Sequence, residues 1–167
     1  LHNMVRRPMS ADSAIMNPEE NILALKLQRQ LQVFNLETKA KLKSHMSPQD
    51  VIYWRWISAT VLGIVTTSSV YHWSIEDDAA PQKVFDRHAS LADTQIINYR
   101  ASADGKWMVL IGISSNTVDA NAFRIKGSMQ LYSKERGVSQ PIDGHAAAFA
   151  ELKTQEANVP YKLFTFA

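Results

Sequence analysis

Five histidines are the first candidates for acid–base or metal chemistry in this sequence: His2, His45, His72, His88 and His145. None has a second histidine four residues away, the spacing that brings two imidazoles to one face of a helix to bind zinc. The chain has no cysteine, which excludes a thiolate metal site, a disulfide and a cysteine nucleophile. The sequence therefore predicts no metal centre and no cofactor.

Three other arrangements of titratable residues could support acid–base chemistry. His72 lies between two aromatic residues in an apolar stretch, which favours a structural histidine with a hydrogen-bond partner. The triplet Asp86–His88 is more typical of a surface ion pair at a turn, and no pattern brings His145 to Glu151. The sequence also contains no phosphate-binding loop, dinucleotide fingerprint or nucleophile elbow. We assign no catalytic residue and expect that the chain is not an enzyme.

The segment 26–43 carries a local concentration of positive charge. Its charged residues are Lys26, Arg29, Lys39, Lys41 and Lys43 against the single acid Glu37. Lysine alternates with apolar residues from position 39 to position 43, so a strand here would put three ammonium groups on one face. Gln32 and Phe34 alternate with apolar residues just before it. A hairpin of these two strands would therefore place an aromatic ring and an amide beside a row of lysines.

This basic face has three possible explanations. Lysines on a solvent-facing strand prevent aggregation through strand edges. Alternatively, an apolar patch beside lysines forms a groove for an extended peptide with aliphatic and acidic side chains. A nucleic-acid stripe is the third explanation, and it is weaker because the basic run is short and the other aromatic residues lie mostly in apolar stretches.

The elements that must position these residues are strands. Apolar residues recur in short bursts rich in β-branched and aromatic side chains, and turn residues separate the bursts. The pattern predicts an all-β fold with these strands: Ile22–Leu27, Leu31–Leu36, Lys39–His45, Val51–Ser58, Thr60–Thr67, Val70–Ile75, Lys83–Arg87, Thr94–Arg100, Trp107–Ser114, Gly127–Ser133, Ala147–Lys153 and Tyr161–Phe166. The polar stretch Asn116–Arg124 predicts a long loop, and Ala89–Ala92 a helical turn.

Regular short strands are compatible with a sandwich, a barrel or a propeller. A weak recurrence favours the propeller, because Leu31–Asn35, Val70–Ser74 and Met129–Ser133 each alternate apolar residues before a small polar residue. A blade of four strands takes about 40 to 45 residues. The 167 residues would supply three to four blades, fewer than a closed ring comfortably needs.

The composition predicts a folded, soluble chain. Hydrophobic residues make up 46% and charged residues 20%, and the length suits one domain. The net charge of +2 is too small for a global nucleic-acid or membrane footprint. No apolar run approaches the roughly 18 residues of a membrane span. The lack of cysteine suits a reducing compartment, and the first residue, Leu1, suggests a piece of a longer chain.

Several segments resemble the clathrin heavy chain family, and together they extend over nearly the whole chain. They are Arg6–Pro18, Leu31–His45, Tyr53–Ser58, Val70–Ser74, Phe85–His88, Gln95–Arg100 and Ser139–Ala147. The resemblance implies that residues 1–167 are a fragment of an amino-terminal seven-bladed β-propeller that begins inside the first blade. The later blades, the solenoid leg and the trimerisation region would be absent.

The resemblance also implies a function. The protein would be a structural component of clathrin-coated pits and vesicles on the cytoplasmic face of the plasma membrane, the trans-Golgi network and endosomes. Its propeller would bind clathrin-box and related peptide motifs of adaptors in intracellular transport and receptor-mediated endocytosis. Light chains and other heavy chains would bind regions outside this fragment, membrane association would be indirect, and no nucleic acid is expected. A generic peptide- or nucleic-acid-binding propeller, or an enzyme on a propeller scaffold, are the alternatives.

Three peptide sites are implied by the resemblance. The clathrin-box groove between the first two blades would use Arg7, Leu23, Gln30, Gln32, Phe34, Lys39 and Lys41. A second groove, between the fourth and fifth blades, would use Trp107, Leu131, Arg136 and Gln140. A site near the propeller axis would use Gln95, Ile97 and Ile113. Core packing is the competing explanation for the apolar members of the last two sites, and a solvated turn for Arg136. For Lys43, simple exposure to solvent explains the charge as well as a role in peptide binding does.

Two features depart from the family pattern. Gln30 stands where many relatives carry a smaller hydroxyl residue, which would alter one wall of the first groove. The segment Ser115–Lys126 is a few residues longer than its counterparts.

Overall fold

The computed structural model describes residues 10–119, 122–153 and 161–167. Consecutive strands pair antiparallel, in three four-stranded sheets and one two-stranded sheet. The first sheet contains Ser13–Met16 (β1), Ile22–Leu27 (β2), Gln30–Asn35 (β3) and Ala40–Met46 (β4). The second contains Val51–Trp56 (β5), Val61–Thr66 (β6), Ser69–Ser74 (β7) and Gln82–Asp86 (β8). The third contains Gln95–Ala101 (β9), Trp107–Asp119 (β10), Ala122–Ser133 (β11) and Val138–Asp143 (β12), and the fourth Ala147–Leu152 (β13) and Tyr161–Phe166 (β14).

The sheets pack face to face in chain order, because each of three apolar clusters joins two neighbouring sheets. Between the first and second sheets lie Ile22, Ala24, Leu31, Val33, Val51, Trp54, Trp56, Leu62, Ile64 and Trp73. Between the second and third lie Val65, Val70, Phe85, Leu91, Ile96, Tyr99, Met108 and Leu110. Val109, Ile111 and Met129 of the third sheet meet Phe149 and Phe164 of the fourth. This order confirms the all-β prediction and is compatible with three blades and part of a fourth, in a ring that the described sheets do not close.

The sequence analysis did not predict two strands, β1 and β12, because neither contains an apolar stretch of five or more residues. β1 is four residues long and alternates half-buried and exposed side chains. β12 is exposed along nearly its whole length and contains Pro141, yet it pairs with β11 from Ser128 to Ser133. Main-chain hydrogen bonding of an edge strand requires no apolar side chain, so hydrophobic periodicity cannot detect it.

The predicted long loop over Asn116–Arg124 is wrong. β10 and β11 continue as a two-stranded ribbon past the end of β9, with Asn116 opposite Arg124 and Thr117 opposite Phe123. Polar residues can extend a hairpin because the ladder joins main-chain groups. Residues 120 and 121, at its tip, lie outside the described residues. The predicted helical turn is confirmed as a short 3₁₀ helix, Ala89–Leu91, whose amino end is capped by the His88 side chain.

The triplet Asp86–His88 does not form an ion pair within itself. The Asp86 carboxylate pairs with Lys83 on the same strand, at 2.8 Å. The Arg87 guanidinium donates instead to the carbonyl oxygens of Thr67, at 2.7 Å, and Leu91, at 2.6 Å. Arg87 therefore joins the β6–β7 turn to the 3₁₀ helix, and the predicted surface ion pair has Lys83 as its cation. No helix in the described part of the chain is both long and apolar enough to cross a membrane.

Candidate binding surfaces

A row of three side chains crosses the first sheet at one end. Phe34 on β3 is directly opposite Leu23 on β2 and Lys41 on β4. Leu23 and Phe34 are half-buried, and Lys41 is exposed. Cross-strand neighbours lie within about 5.5 Å of one another. The row therefore combines an apolar patch with an adjacent ammonium group, and with Gln30, Gln32 and Lys39 we call it the first surface.

The first surface lies on the face of the first sheet that is turned away from the second sheet. Gln30, Gln32 and Phe34 alternate along β3 with Leu31 and Val33, which are fully buried in the cluster against the second sheet. Alternation places the two sets on opposite faces. The first and second sheets therefore pack against each other through the apolar cluster between them. The predicted groove residues of β3 lie on the opposite face of the first sheet. Arg7, the remaining predicted residue, lies outside the described part of the chain.

Lys39 belongs to a turn rather than to the strand that follows it. Its backbone has φ of +58°, in the left-handed region, and β4 begins at Ala40. The Asn35 carboxamide oxygen shapes the turn by accepting hydrogen bonds from the main-chain N–H groups of Glu37, at 2.9 Å, and Thr38, at 3.0 Å. The turn is therefore built by local hydrogen bonds before any ligand binds.

The predicted row of three lysines on one face is wrong. The ladder between β3 and β4 pairs Phe34 with Lys41 but Val33 with Lys43, so Leu42 is an extra residue in a β-bulge. The bulge turns Lys43 toward the second sheet, where its ammonium bonds to main-chain carbonyls and its side chain is only 9% exposed. Simple solvation of Lys43 is therefore also wrong.

The second predicted surface is only partly assembled. Trp107 and Leu131 line a cavity of about 590 Å³ between the third sheet and the β13–β14 pair. Gln140 is opposite Leu131 on β12, and Arg136 follows in the β11–β12 turn, but neither lines this cavity. We call the cavity with these four residues the second surface.

An ion pair between Asp104 and Lys162 stands at the second surface. Both residues line the cavity, one from the β9–β10 turn and one from β14. The hydrogen bond from the Lys162 ammonium, followed by that from the Ser102 hydroxyl, holds the pKa of the Asp104 carboxyl well below its usual range. The cavity thus has apolar walls and a paired charge at its margin.

The structure brings together two of the three predicted axial residues. Gln95 on β9 is opposite Ile113 on β10, and both line a cavity of about 630 Å³ with Asp93, Ile125 and Lys126. Ile97 stands beside a register shift in the same ladder, is partly exposed and does not line this cavity. These residues form the axial surface.

Comparison with known proteins gives one family. The chain is 58% identical to the probable clathrin heavy chain 1 of Caenorhabditis elegans over 165 residues, which are 99% of this chain and 10% of that protein. It is 54% identical to the clathrin heavy chain of Drosophila melanogaster, over 99% of this chain and 10% of that one. It is 51% identical to human clathrin heavy chain 2, over 98% of this chain and 10% of that one. The chain belongs to the clathrin heavy chain family.

The identification confirms the resemblance seen in the sequence. The chain spans about a tenth of the length of these clathrin heavy chain relatives. No protein-family model matches it. Among solved structures, the N-terminal domain of Nup159 is similar with a TM-score of 0.46 and 12% identity, over 86% of this chain and 44% of that one. That similarity is too low to support an argument.

Several residues of this clathrin heavy chain stretch were missed by sequence reasoning. Phe149 and Phe164 complete the apolar wall of the second surface, and their alternating strands could have indicated an inward-facing pair. Lys162 carries no such signal, because its contact with Asp104 joins residues far apart in sequence. The role of Lys43 was hidden by the bulge, since regular alternation predicts the opposite face.

Proposed function

We propose that this chain is part of the structural coat protein of clathrin-coated pits and vesicles, and that its sheets bind short peptide motifs of adaptor proteins. The observation that carries the proposal is the row formed by Leu23, Phe34 and Lys41, in which two apolar side chains lie beside an ammonium group. A leucine-rich motif with acidic residues has the complementary chemistry.

The peptide would bind in an extended conformation along the first surface. Its leucines would pack on Leu23 and Phe34, and its acidic residues would pair with Lys39 and Lys41. Amides of Gln30 and Gln32 can both donate to and accept from a peptide main chain. The longer Gln30 side chain would reach further into the groove than a hydroxyl residue and narrow that end of it.

Such a site would be weak when it acts alone. Each exposed charge pair contributes about 0.2–1 kcal/mol. Many coat subunits facing adaptors with several motifs would raise the overall affinity through effective concentration. The first surface has no opposing wall among the described residues, and we infer that residues outside them complete the groove.

The second and axial surfaces are proposed as further peptide sites. The cavity lined by Trp107 and Leu131 would take apolar side chains, with Arg136 and Gln140 contacting the peptide outside it. Gln95, Ile97 and Ile113 would bind a peptide near the propeller axis. Separate sites would let one coat subunit hold more than one adaptor motif.

Adaptors would be the direct partners of this region. Light chains and other heavy chains would bind parts of the longer protein, and the membrane would be reached only through adaptors. The place of action would be the cytoplasmic face of coated pits and vesicles, at the plasma membrane, the trans-Golgi network and endosomes.

Fluorescence anisotropy of a labelled leucine-rich acidic peptide tests the proposal on the 167-residue chain. We expect micromolar binding that is lost in the Lys39→Glu/Lys41→Glu variant and with a leucine-to-alanine peptide. Lys83→Glu/Lys106→Glu is the charge-matched control, because both lysines are exposed and lie outside the first sheet, Lys83 on β8 and Lys106 in the β9–β10 turn. Circular dichroism verifies folding of each variant.

Two outcomes would overturn the proposal. Affinity that is unchanged by reversal of Lys39 and Lys41 would remove the first surface from binding. Binding that is independent of the peptide leucines, equal for any polyanion and steeply salt-dependent would indicate a nucleic-acid-type surface instead.

A further inference from the structure

One edge of β10 continues beyond the strand that covers it. β9 begins at Gln95, which is opposite Ile113, whereas β10 runs on to Asp119. On its other side β10 stays in regular register with β11 as far as Thr117. No other strand among the described residues pairs with β10 past Ile113 on the β9 side.

A hydrogen bond at the base of the hairpin shows which residues face this edge. The Trp107 carbonyl accepts a hydrogen bond of 2.8 Å from the N–H of Ser102, just past β9, so the main chain of Trp107 points to the β9 side. Main-chain groups of successive strand residues point alternately to the two sides. Ser115 and Thr117 lie an even number of residues further along, so their N–H and C=O groups also point to the β9 side. We call these two donors and two acceptors the free edge.

A cavity lies against the free edge. The cavity of about 630 Å³ at the axial surface is lined by Ser114 and Ser115 of β10 and by Thr94, the residue just before β9. The side chains of Ser114 and Ser115 point to opposite faces of the strand. A cavity that both of them line must lie at the edge of that strand. The space in which a further strand would continue the line of β9 is therefore open.

The free edge carries none of the residues that usually block strand pairing. Proteins commonly protect exposed sheet edges with proline or lysine. On the opposite edge of the third sheet, β12 contains Pro141, which has no N–H to donate to another strand. The sequence from Ser114 to Asp119 contains neither proline nor lysine. This part of β10 therefore keeps its full capacity to pair.

We propose that the free edge binds an extended segment of a partner protein, which adds to β10 as an antiparallel strand. Main-chain hydrogen bonds to Ser115 and Thr117 give such a complex its affinity, and alternate side chains of the segment give it its specificity. The location of this edge at the axial surface rests on the proposed function, whereas the strand pairing itself does not.

The side chains around the free edge define the chemistry of the segment. Ile125 is opposite Ser115, on the same face of the ribbon, and is 70% exposed. The segment residue that pairs with Ser115 is therefore aliphatic. On the other face, the Lys126 ammonium lies 3.9 Å from the Asp143 carboxylate, and Asp93 lines the same cavity. These charges offset one another, so the neighbouring segment residues are polar and uncharged.

An NMR titration with acetyl-Thr-Val-Thr-Val-Thr-amide tests the inference on the ¹⁵N-labelled 167-residue chain. The two valines should pair with Ser115 and Thr117, whose amide protons should shift downfield and saturate. N-methylation of both valines removes the donors that face β10 and should abolish binding. N-methylation of two threonines removes only donors that face away, so this peptide of equal composition should bind like the unmodified one.

Two variants of one residue separate the main chain from the side chain. Ser115→Pro removes a donor that no described strand uses, so the chain should fold, and it should raise the Kd of the probe about two- to tenfold. Ser115→Ala retains the donor and should leave the Kd unchanged. Equal Kd values for these two variants, or full binding of the valine-methylated peptide, would contradict the inference.

The remaining outcomes identify other occupants or separate this inference from the proposed function. Shifts at Ile125 in place of Ser115 would assign the probe to the opposite edge and overturn the inference, as would the lack of any shift. Dimers of the chain alone that Ser115→Pro abolishes, seen by analytical ultracentrifugation, would assign the edge to a second copy. A chain that pairs with the probe but does not bind the leucine-rich acidic peptide keeps this inference and loses the proposed function.

Discussion

His72 and Tyr99 join the second and third sheets through a contact of 2.8 Å between the imidazole Nε2 and the phenol oxygen. Tyr99 is fully buried in the cluster between these sheets, and burial raises the pKa of its hydroxyl. Burial, followed by the charge of Lys134, lowers the pKa of His72 to about 4. The prediction of a structural histidine with a hydrogen-bond partner is confirmed.

The pKa of His72 predicts acid sensitivity of folding. In the unfolded chain a histidine binds a proton near pH 6.5, whereas the folded His72 stays neutral down to about pH 4. The unfolded state therefore holds more protons between these values, and stability falls as the pH drops through that window. The loss from this residue is about 3 kcal/mol. Urea unfolding at pH 7, 5.5 and 4.5 measures it.

Two variants separate the cause of this pH dependence. His72→Gln should remove the contribution of this group, so its stability should fall less than that of the native chain over the same pH range. Tyr99→Phe should retain the contribution, because desolvation of the imidazole is the larger cause. Equal pH profiles for the native chain and His72→Gln would refute the assignment.

Gly63 is required by the close approach of the same tyrosine. A β-carbon at Gly63 would lie 2.7 Å from the Tyr99 ring and 3.0 Å from Ile57. Gly63→Ala should therefore lower the free energy of unfolding by about 1–3 kcal/mol through overpacking. Tyr99→Ala opens the space, so Gly63→Ala should cost much less in that background. Thermal unfolding of the four variants in this cycle tests the contact, and an equal cost in both backgrounds would disprove it.

The assignment of faces in β3 is tested by two leucines. Leu31 is fully buried against the second sheet, and Leu36, just past the strand, is 43% exposed. Leu31→Ala should lower the free energy of unfolding by about 2–5 kcal/mol, whereas Leu36→Ala should change it by less than about 0.5 kcal/mol. Chemical denaturation measures both, and comparable losses would mean that the core lies elsewhere.

Much of the fold was predictable because hydrophobic alternation reports burial. Twelve of the fourteen described strands coincide with predicted ones, such as Val61–Thr66, and short turns between them imply antiparallel neighbours. β12 and the ribbon beyond Ile113 were not predictable, since both depend on main-chain pairing of polar residues. Hydrophobic periodicity reports side-chain burial and gives no information about main-chain hydrogen bonding at an exposed sheet edge.

The sequence predicted which residues belong to the candidate surfaces better than it predicted how those residues are arranged in space. Phe34 and Lys41 were assigned to one face from the alternation and the resemblance, and the register brings them together. The departure of Lys43 was not predictable, because one extra residue in a strand reverses the face of every residue after it. Nothing in a local pattern of alternating lysines shows where a bulge lies.

Salt should weaken peptide binding at the first surface in a way that identifies the lysines involved. Lys39 and Lys41 are exposed, so their attraction for acidic side chains is screened over about 10 Å at 0.1 M salt. We expect the Kd of the leucine-rich acidic peptide to rise between 50 and 500 mM NaCl, by about two- to tenfold. Sodium sulfate strengthens apolar contacts, so at equal ionic strength it should weaken binding less than NaCl does.

The matched variants decide whether the two lysines cause this dependence. Lys39→Gln/Lys41→Gln should bind more weakly at 50 mM NaCl and show almost no further change at 500 mM, leaving only the apolar contribution of Leu23 and Phe34. Lys83→Gln/Lys106→Gln removes the same charge from outside the first sheet and should retain the native salt dependence. A salt effect that survives in the first variant would assign the attraction to other cations, and the leucines alone would then define the site.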